Sequence, residues 1–131
     1  MRALVIDDSR AMLGILEKML TEVGFEVTSA GDGREALAQL KAGGRFDVAL
    51  VDWNMPELDG YEFVEAVRAD HAYDALLLMM VTSETELAQV VRALDAGANE
   101  YVMKPFTKEV LIEKLEILGL VEADTCLKSE S

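Results

Sequence analysis

The sequence predicts an α/β fold, a doubly wound parallel sheet of five strands built as (βα) repeated five times. Three observations carry that prediction. Five short apolar runs, several apolar at every position, read as strands buried on both faces. The stretches between them place apolar residues at helical spacing. Three of those stretches open on a capping residue three positions before a Glu. Strand–helix–strand connections in one sheet are right-handed almost without exception, so the alternation closes into an open sheet with helices on both faces.

Taken in order, Ala3–Ile6 is the first run. Leu13, Leu16, Leu20 and Val23 then mark a helix that Gly24 stops. Phe25–Val27 is the second run, and Asp32 with Glu35 caps a shorter helix carrying Ala36, Leu37 and Leu40. Val48–Val51 is the third, and Asp59 with Glu62 opens a helix carrying Phe63, Val64 and Val67. Leu76–Val81 is the fourth, and Ser83 with Glu86 precedes Leu87, Val90, Val91 and Leu94, which end at Gly97. Tyr101–Met103 is the fifth, followed by Val110, Leu111, Leu115 and Leu118 before Gly119. One domain over residues 1–121 is expected. The polar, aperiodic tail 122–131 reads as a frayed end.

A chain of 131 residues buries enough surface to fold without a disulfide or structural metal. Twelve Lys and Arg against 25 Asp and Glu leave a net charge of −13, which argues against nucleic acid and against anionic membrane as partners. Half the residues, 51%, are apolar, so the acidity does not signal disorder. The single Cys126 excludes an internal disulfide, and no Cys/His cluster suggests zinc. Acids follow four apolar residues at the start, so neither a signal peptide nor a membrane span is read there, and the cytoplasm is the expected location.

In such folds the site lies beyond the carboxyl ends of the strands. The first run leaves into Asp7 and Asp8, the third into Asp52, the fourth into Thr82, and the fifth into Lys104 and Pro105. Each residue alone has a bland reading: a helix cap, a strand residue, a solvated lysine. The fold converges them on one rim. Two like charges about 4 Å apart repel by roughly 4 kcal/mol at an effective dielectric of about 20. Three crowded carboxylates therefore take up a proton or bind a cation. Hard oxygen donors open to water suit Mg²⁺. An Asp, Mg²⁺, a hydroxyl and an ammonium suit attack of a carboxylate on phosphorus, with the peripheral oxygens neutralised by the ion, Lys104 and Thr82. Backbone N–H groups at the start of the next helix, beginning at Ser83, add donors.

The set Asp7-Asp8, Asp52, Thr82 and Lys104-Pro105 resembles the receiver domain of two-component response regulators. The segments DWNMPELDG from Asp52, TSE from Thr82 and YVMKPF from Tyr101 are closest to its single-domain, CheY-like members. The resemblance runs from about Arg2 to about Gly119, with five motifs in the right order. It implies the flavodoxin-like strand order 2-1-3-4-5. It further implies Asp52 as phosphoacceptor. Asp8, Asp52 and the carbonyl of Asn54 would hold Mg²⁺, with Asp7 acting through water. Lys104, across a cis peptide to Pro105, would contact the phosphoryl group together with Thr82 and Ser83. Thr82 and Tyr101 would be the switch pair, and Asn54 and Glu84 would tune dephosphorylation.

The resemblance implies a signalling phosphoacceptor that catalyses only its own phosphorylation and dephosphorylation. Its donor would be a histidine kinase or histidine phosphotransfer protein. Its target would dock on the fourth helix, fifth strand and fifth helix, with Arg92, Lys108 and Glu109 as readers. A stand-alone chemotaxis regulator is the leading expectation. A phosphorelay intermediate, or a receiver cut from a longer regulator, is the alternative.

Two other classes fit parts of the sequence. AGDGREA, Ala30–Ala36, imitates a dinucleotide fingerprint with Asp52 roughly 20 residues on, but leaves Asp7, Asp8, Thr82 and Lys104 without a task. A Mg²⁺-dependent phosphatase with an Asp nucleophile would carry D-x-D on the first strand, where this chain has adjacent Asp7-Asp8. Trp53 is expected to be a partly exposed packing residue, His71 a solvated loop residue, and Met79, Met80 and Met103 core fillers.

Overall fold

The fold is described from a computed structural model, over residues 1–43, 45–53, 59–83 and 87–121. Five strands, β1 (Arg2–Ile6), β2 (Glu26–Ala30), β3 (Val48–Asp52), β4 (Leu77–Thr82) and β5 (Glu100–Met103), alternate with five helices. These are α1 (Arg10–Val23), α2 (Gly33–Lys41), α3 (Gly60–Arg68), α4 (Leu87–Ala96) and α5 (Lys108–Ile117), with a 3₁₀ turn at His71–Tyr73. The strands form one parallel sheet in the order β2-β1-β3-β4-β5. The expected fold and strand order are both observed.

The all-apolar runs are explained by the two layers they separate. In β3, Ala49 and Val51 pack on one face with Ala36 and Leu40 of α2, Phe63, Val64 and Val67 of α3, and Ala93 of α4. Val48 and Leu50 point the other way, to Leu16 and Leu20 of α1 and Leu111 and Leu115 of α5. Side chains alternate along a strand, so only a strand covered on both sides can be apolar throughout.

The capping signals act as local chemistry predicts. Asp59 accepts from the Glu62 N–H at 2.9 Å, and Glu62 accepts from the Asp59 N–H at 3.2 Å, a complete capping box. Asp32 accepts from the Glu35 N–H at 2.8 Å, but Glu35 reaches back to the N–H of Gly31 instead of to Asp32. Glu86, the second half of the third box, and the tail 122–131 with Cys126 lie outside the described residues. Ser9 and Thr107 cap α1 and α5 through the N–H groups of Met12 and Val110. Gly24 ends α1 at φ 116, a left-handed conformation that a residue with a Cβ adopts only with strain.

Four expectations change, the first being Met103, which is half-buried at the end of β5 and belongs to neither core layer. β2 extends to Ala30 beyond the apolar run, because Thr28 and Ser29 sit on a half-exposed edge strand. Trp53 is only 5% exposed and belongs to the core on the α3 side, so it is not a partly exposed residue. Val91 and Leu94 follow the helical spacing of α4 but are exposed, Val91 to 61%. His71 is exposed, as expected, and lies on the 3₁₀ turn with its Nδ1 at 3.2 Å from Asp74.

Candidate functional site

The carboxyl ends of β1, β3, β4 and β5 open on one rim. Asp7 follows β1, Asp52 is the last residue of β3, Thr82 the last of β4, and Lys104 follows β5. The register sets these strand ends side by side: Ile6 pairs with Val51, Asp52 with Val81, and Thr82 with Met103. One carboxylate oxygen from each of Asp7, Asp8 and Asp52 lies within 4.8 Å of the others. Asp7 and Asp52 are buried, whereas Asp8 is exposed and keeps the cluster open to water.

The Lys104 ammonium donates to Asp52 Oδ1 at 3.1 Å and lies 3.7 Å from Asp7 Oδ2. Asp7 Oδ1 accepts from the Ser9 N–H at 2.9 Å. Among the described residues, its buried Oδ2 has no hydrogen-bond partner. Among the described residues, Lys104 thus bridges Asp52 and Asp7, and the exposed Asp8 completes the acidic cluster. Burial pushes Asp52 up to about 6, with the negative charge of Asp7 adding to it, and the Lys104 hydrogen bond offsets only part of that. Burial likewise raises Asp7, against its hydrogen bond from Ser9 and the charge of Lys104.

The rest of the rim is held by backbone. The Lys104 N–H donates to the Thr82 carbonyl at 2.7 Å, and the Lys104–Pro105 peptide bond is cis. Thr82 is buried, and its hydroxyl donates to the carbonyl of Ser83 at 3.3 Å. Ser83 is half-buried beside it. Asn54 and Glu84 lie outside the described residues. Tyr101 stands opposite Met80 on the neighbouring strand. Side chains two apart share a face, so Tyr101 and Thr82 lie on the same side of the sheet, one diagonal step apart.

One residue of the site was not singled out from sequence. Gly60 opens α3 against the end of β3, and its N–H donates to the Trp53 carbonyl at 3.0 Å. A Cβ there would stand 2.9 Å from the Asp52 carbonyl oxygen and 3.1 Å from Trp53 Cα. The Asp59-Gly60 pair carries the only signal for this, and it reads equally well as a plain helix start.

A parallel 2-1-3-4-5 sheet presenting three carboxylates, a hydroxyl and an ammonium at one rim defines a CheY-like receiver fold. The response regulator receiver domain family matches residues 3–116, and the chain belongs to that family. The chemotaxis protein CheY1 of Helicobacter pylori strain J99 is 44% identical over 119 residues, covering 90% of this chain and 96% of that protein. A chemotaxis protein CheY homolog of Campylobacter jejuni is 46% identical over 121 residues, covering 91% and 93%. Among solved structures, chemotaxis protein CheY4 of Vibrio cholerae superposes with a TM-score of 0.82 at 38% identity, covering 88% and 96%. A CheY-like receiver domain protein of Methanospirillum hungatei does so with a TM-score of 0.79 at 33% identity, covering 89% and 91%. Family membership implies a signalling role, with a histidine kinase upstream and a target downstream. Among the described residues no helix is long and apolar enough to cross a membrane.

Proposed function

We propose that Asp52 accepts a phosphoryl group from a phosphohistidine, and that the resulting acyl phosphate changes the α4–β5–α5 surface read by a partner. The observation that supports this best is the buried Asp52 carboxylate, with Lys104 at 3.1 Å and two further carboxylates within 4.8 Å. The donor set fits Mg²⁺: all hard oxygens, one exposed carboxylate, and a buried Asp7 oxygen with no hydrogen-bond partner among the described residues. Asp8, Asp52 and the Asn54 carbonyl would hold the ion, with Asp7 acting through water. Bound there, the ion supplies charge neutralisation for phosphoryl transfer.

In the transfer, an Asp52 oxygen attacks phosphorus in line and the bond to the imidazole nitrogen breaks. The bonding electrons leave with the ring, and an acyl phosphate forms. Lys104, already at Asp52, stays to balance the phosphoryl oxygens. The Thr82 hydroxyl exchanges the Ser83 carbonyl for a phosphoryl oxygen, and the Ser83 backbone adjoins it. Tyr101, on the same face, follows Thr82. Asn54 and Glu84 adjust the access of water to phosphorus. Beyond this self-directed chemistry the domain, residues 1–121, is a signalling component in the cytoplasm. The names of the relatives favour chemotaxis over a relay role.

The test is intact-mass measurement after incubation with acetyl phosphate. The wild type gains one phosphoryl group with Mg²⁺ and none with excess chelator, and Asp52→Asn gains none in either. Full labelling of Asp52→Asn would show the acceptor to be another residue. Lys104→Ala keeps some labelling but loses phosphorylation-dependent partner capture; unchanged capture would remove Lys104 from the signalling step.

A further inference from the structure

We propose that Glu100 and Lys114 form a latch on Tyr101, holding its ring in the position seen and so setting how readily the domain switches. The proposal rests on Tyr101 being the switch side chain, and its test separates the two ideas.

The latch is built from three contacts on one carboxylate and one ammonium. Glu100 Oε1 accepts from the Tyr101 N–H at 2.9 Å and from Lys114 Nζ at 3.3 Å. Lys114 Nζ lies 4.7 Å from the centre of the Tyr101 ring, within cation–π range. Glu100 is therefore anchored to the backbone of the residue whose ring it helps to hold. The Glu100 and Lys114 side chains are only 15% and 24% exposed, so this is not a solvated surface pair of little consequence. Lys114 comes from α5, whose buried residues pack on the sheet face opposite Tyr101, and its ammonium reaches the ring at the open edge of β5.

The geometry gives the latch a direction. The ring lies on the Thr82 side of the sheet, one diagonal step from that hydroxyl. Moving it toward Thr82 carries it away from the ammonium that Glu100 fixes. Glu100 and Lys114 are thus positioning residues: they touch the switch side chain and none of the reacting groups. An ammonium over a ring at a half-exposed site shifts a two-state balance by about two- to tenfold. Loss of the latch should move the domain toward its switched form by that factor without altering the carboxylate cluster.

Fluorotyrosine-labelled protein, with the Tyr101 signal assigned by Tyr101→Phe, is titrated with beryllofluoride in saturating Mg²⁺ and followed by ¹⁹F NMR. In the wild type the Tyr101 signal moves. In Glu100→Gln and Lys114→Met it starts nearer the switched position, and half-switching needs about two- to tenfold less beryllofluoride. Lys114→Arg, which keeps a cation able to lie over the ring, shifts the midpoint less than Lys114→Met does. The double variant Glu100→Gln/Lys114→Met goes no further than Lys114→Met alone. Equal midpoints in all variants, or a shift the other way, overturn the latch while leaving Tyr101 as the switch. A Tyr101 signal that stays still in the wild type overturns the switch assignment itself.

Discussion

Asp52→Asn is expected to stabilise the metal-free protein, and the size of the effect follows from the site's charge. Burial lifts Asp52 from 3.8 to about 6. The difference, 6 − 3.8, is about 2 pH units and corresponds to roughly 3 kcal/mol between the neutral and ionised forms. The fold favours the neutral acid. Its stabilising contribution is complete below about pH 3.8 and is lost as pH rises through about 6. Asparagine never ionises and keeps that contribution at every pH. Against this, Lys104 loses its 3.1 Å partner, though Asp7 remains 3.7 Å away. The net gain at pH 7.5 is then about 1–3 kcal/mol, or a urea midpoint higher by about 1 M. Urea unfolding with chelator present measures it at pH 7.5 and pH 4, and the gap should nearly close at the lower pH. Adding Mg²⁺ should raise the wild type more than the variant, because binding only to the folded state stabilises it. Equal midpoints at pH 7.5, or a gap indifferent to pH, would refute the reasoning that burial of the Asp52 charge strains this site.

Other changes probe the scaffold that aims the site. Gly60→Ala forces a Cβ to within 2.9 Å of the Asp52 carbonyl oxygen, and should cost about 1–3 kcal/mol in urea unfolding and slow labelling of Asp52 by acetyl phosphate. Wild-type labelling rates in that variant would mean the β3–α3 junction is more pliant than its contacts indicate. Arg68→Ala removes donors to the carbonyls of Gly97, Tyr73 and Leu76 and to Asn99 Oδ1, all at 2.7–3.0 Å. A loss of about 2–4 kcal/mol is expected by the same assay, and a loss below about 1 kcal/mol would show that water replaces the guanidinium. Asp59→Ala breaks the capping box of α3 and should cost about 1 kcal/mol, whereas Asp32→Gly, at an incomplete box, should cost only a few tenths.

Much of the site could be read directly because its residues follow apolar runs. Asp7, Asp52, Thr82 and Lys104 each leave a strand, and a parallel sheet brings strand ends to one rim whatever the details of packing. The elements that escaped are those whose partners lie far along the chain. Arg68 bonds to Gly97 and Asn99, about thirty residues away, and nothing in its own helix announces that. The pairing of Tyr101 with Met80 sets which face the ring shares with Thr82, and register across β4 and β5 is not written in either run alone. Trp53 follows Asp52 at the strand end, a position that suggests exposure, yet it is buried in the core, with its carbonyl accepting from the Gly60 N–H at the start of α3. Val91 and Leu94 show the opposite limit. Helical spacing marks an apolar face but not whether the molecule itself covers it, and here both are exposed on α4, one of the elements proposed to meet the partner. Ser9 and Thr107 lack a Glu three residues on, so they carry half of the capping signal that Asp59 displays in full.

The proposed signal is Asp52 converted to a mixed anhydride within a cluster of three carboxylates. The most direct measurement locates the bond: protein labelled with acetyl phosphate and Mg²⁺ is reduced with borohydride, digested, and sequenced by mass spectrometry. Conversion of residue 52 alone to the reduced product is the expected result. Reduction at Asp7 or Asp8, or a phosphoryl group recovered on a hydroxyl or on His71, would contradict it.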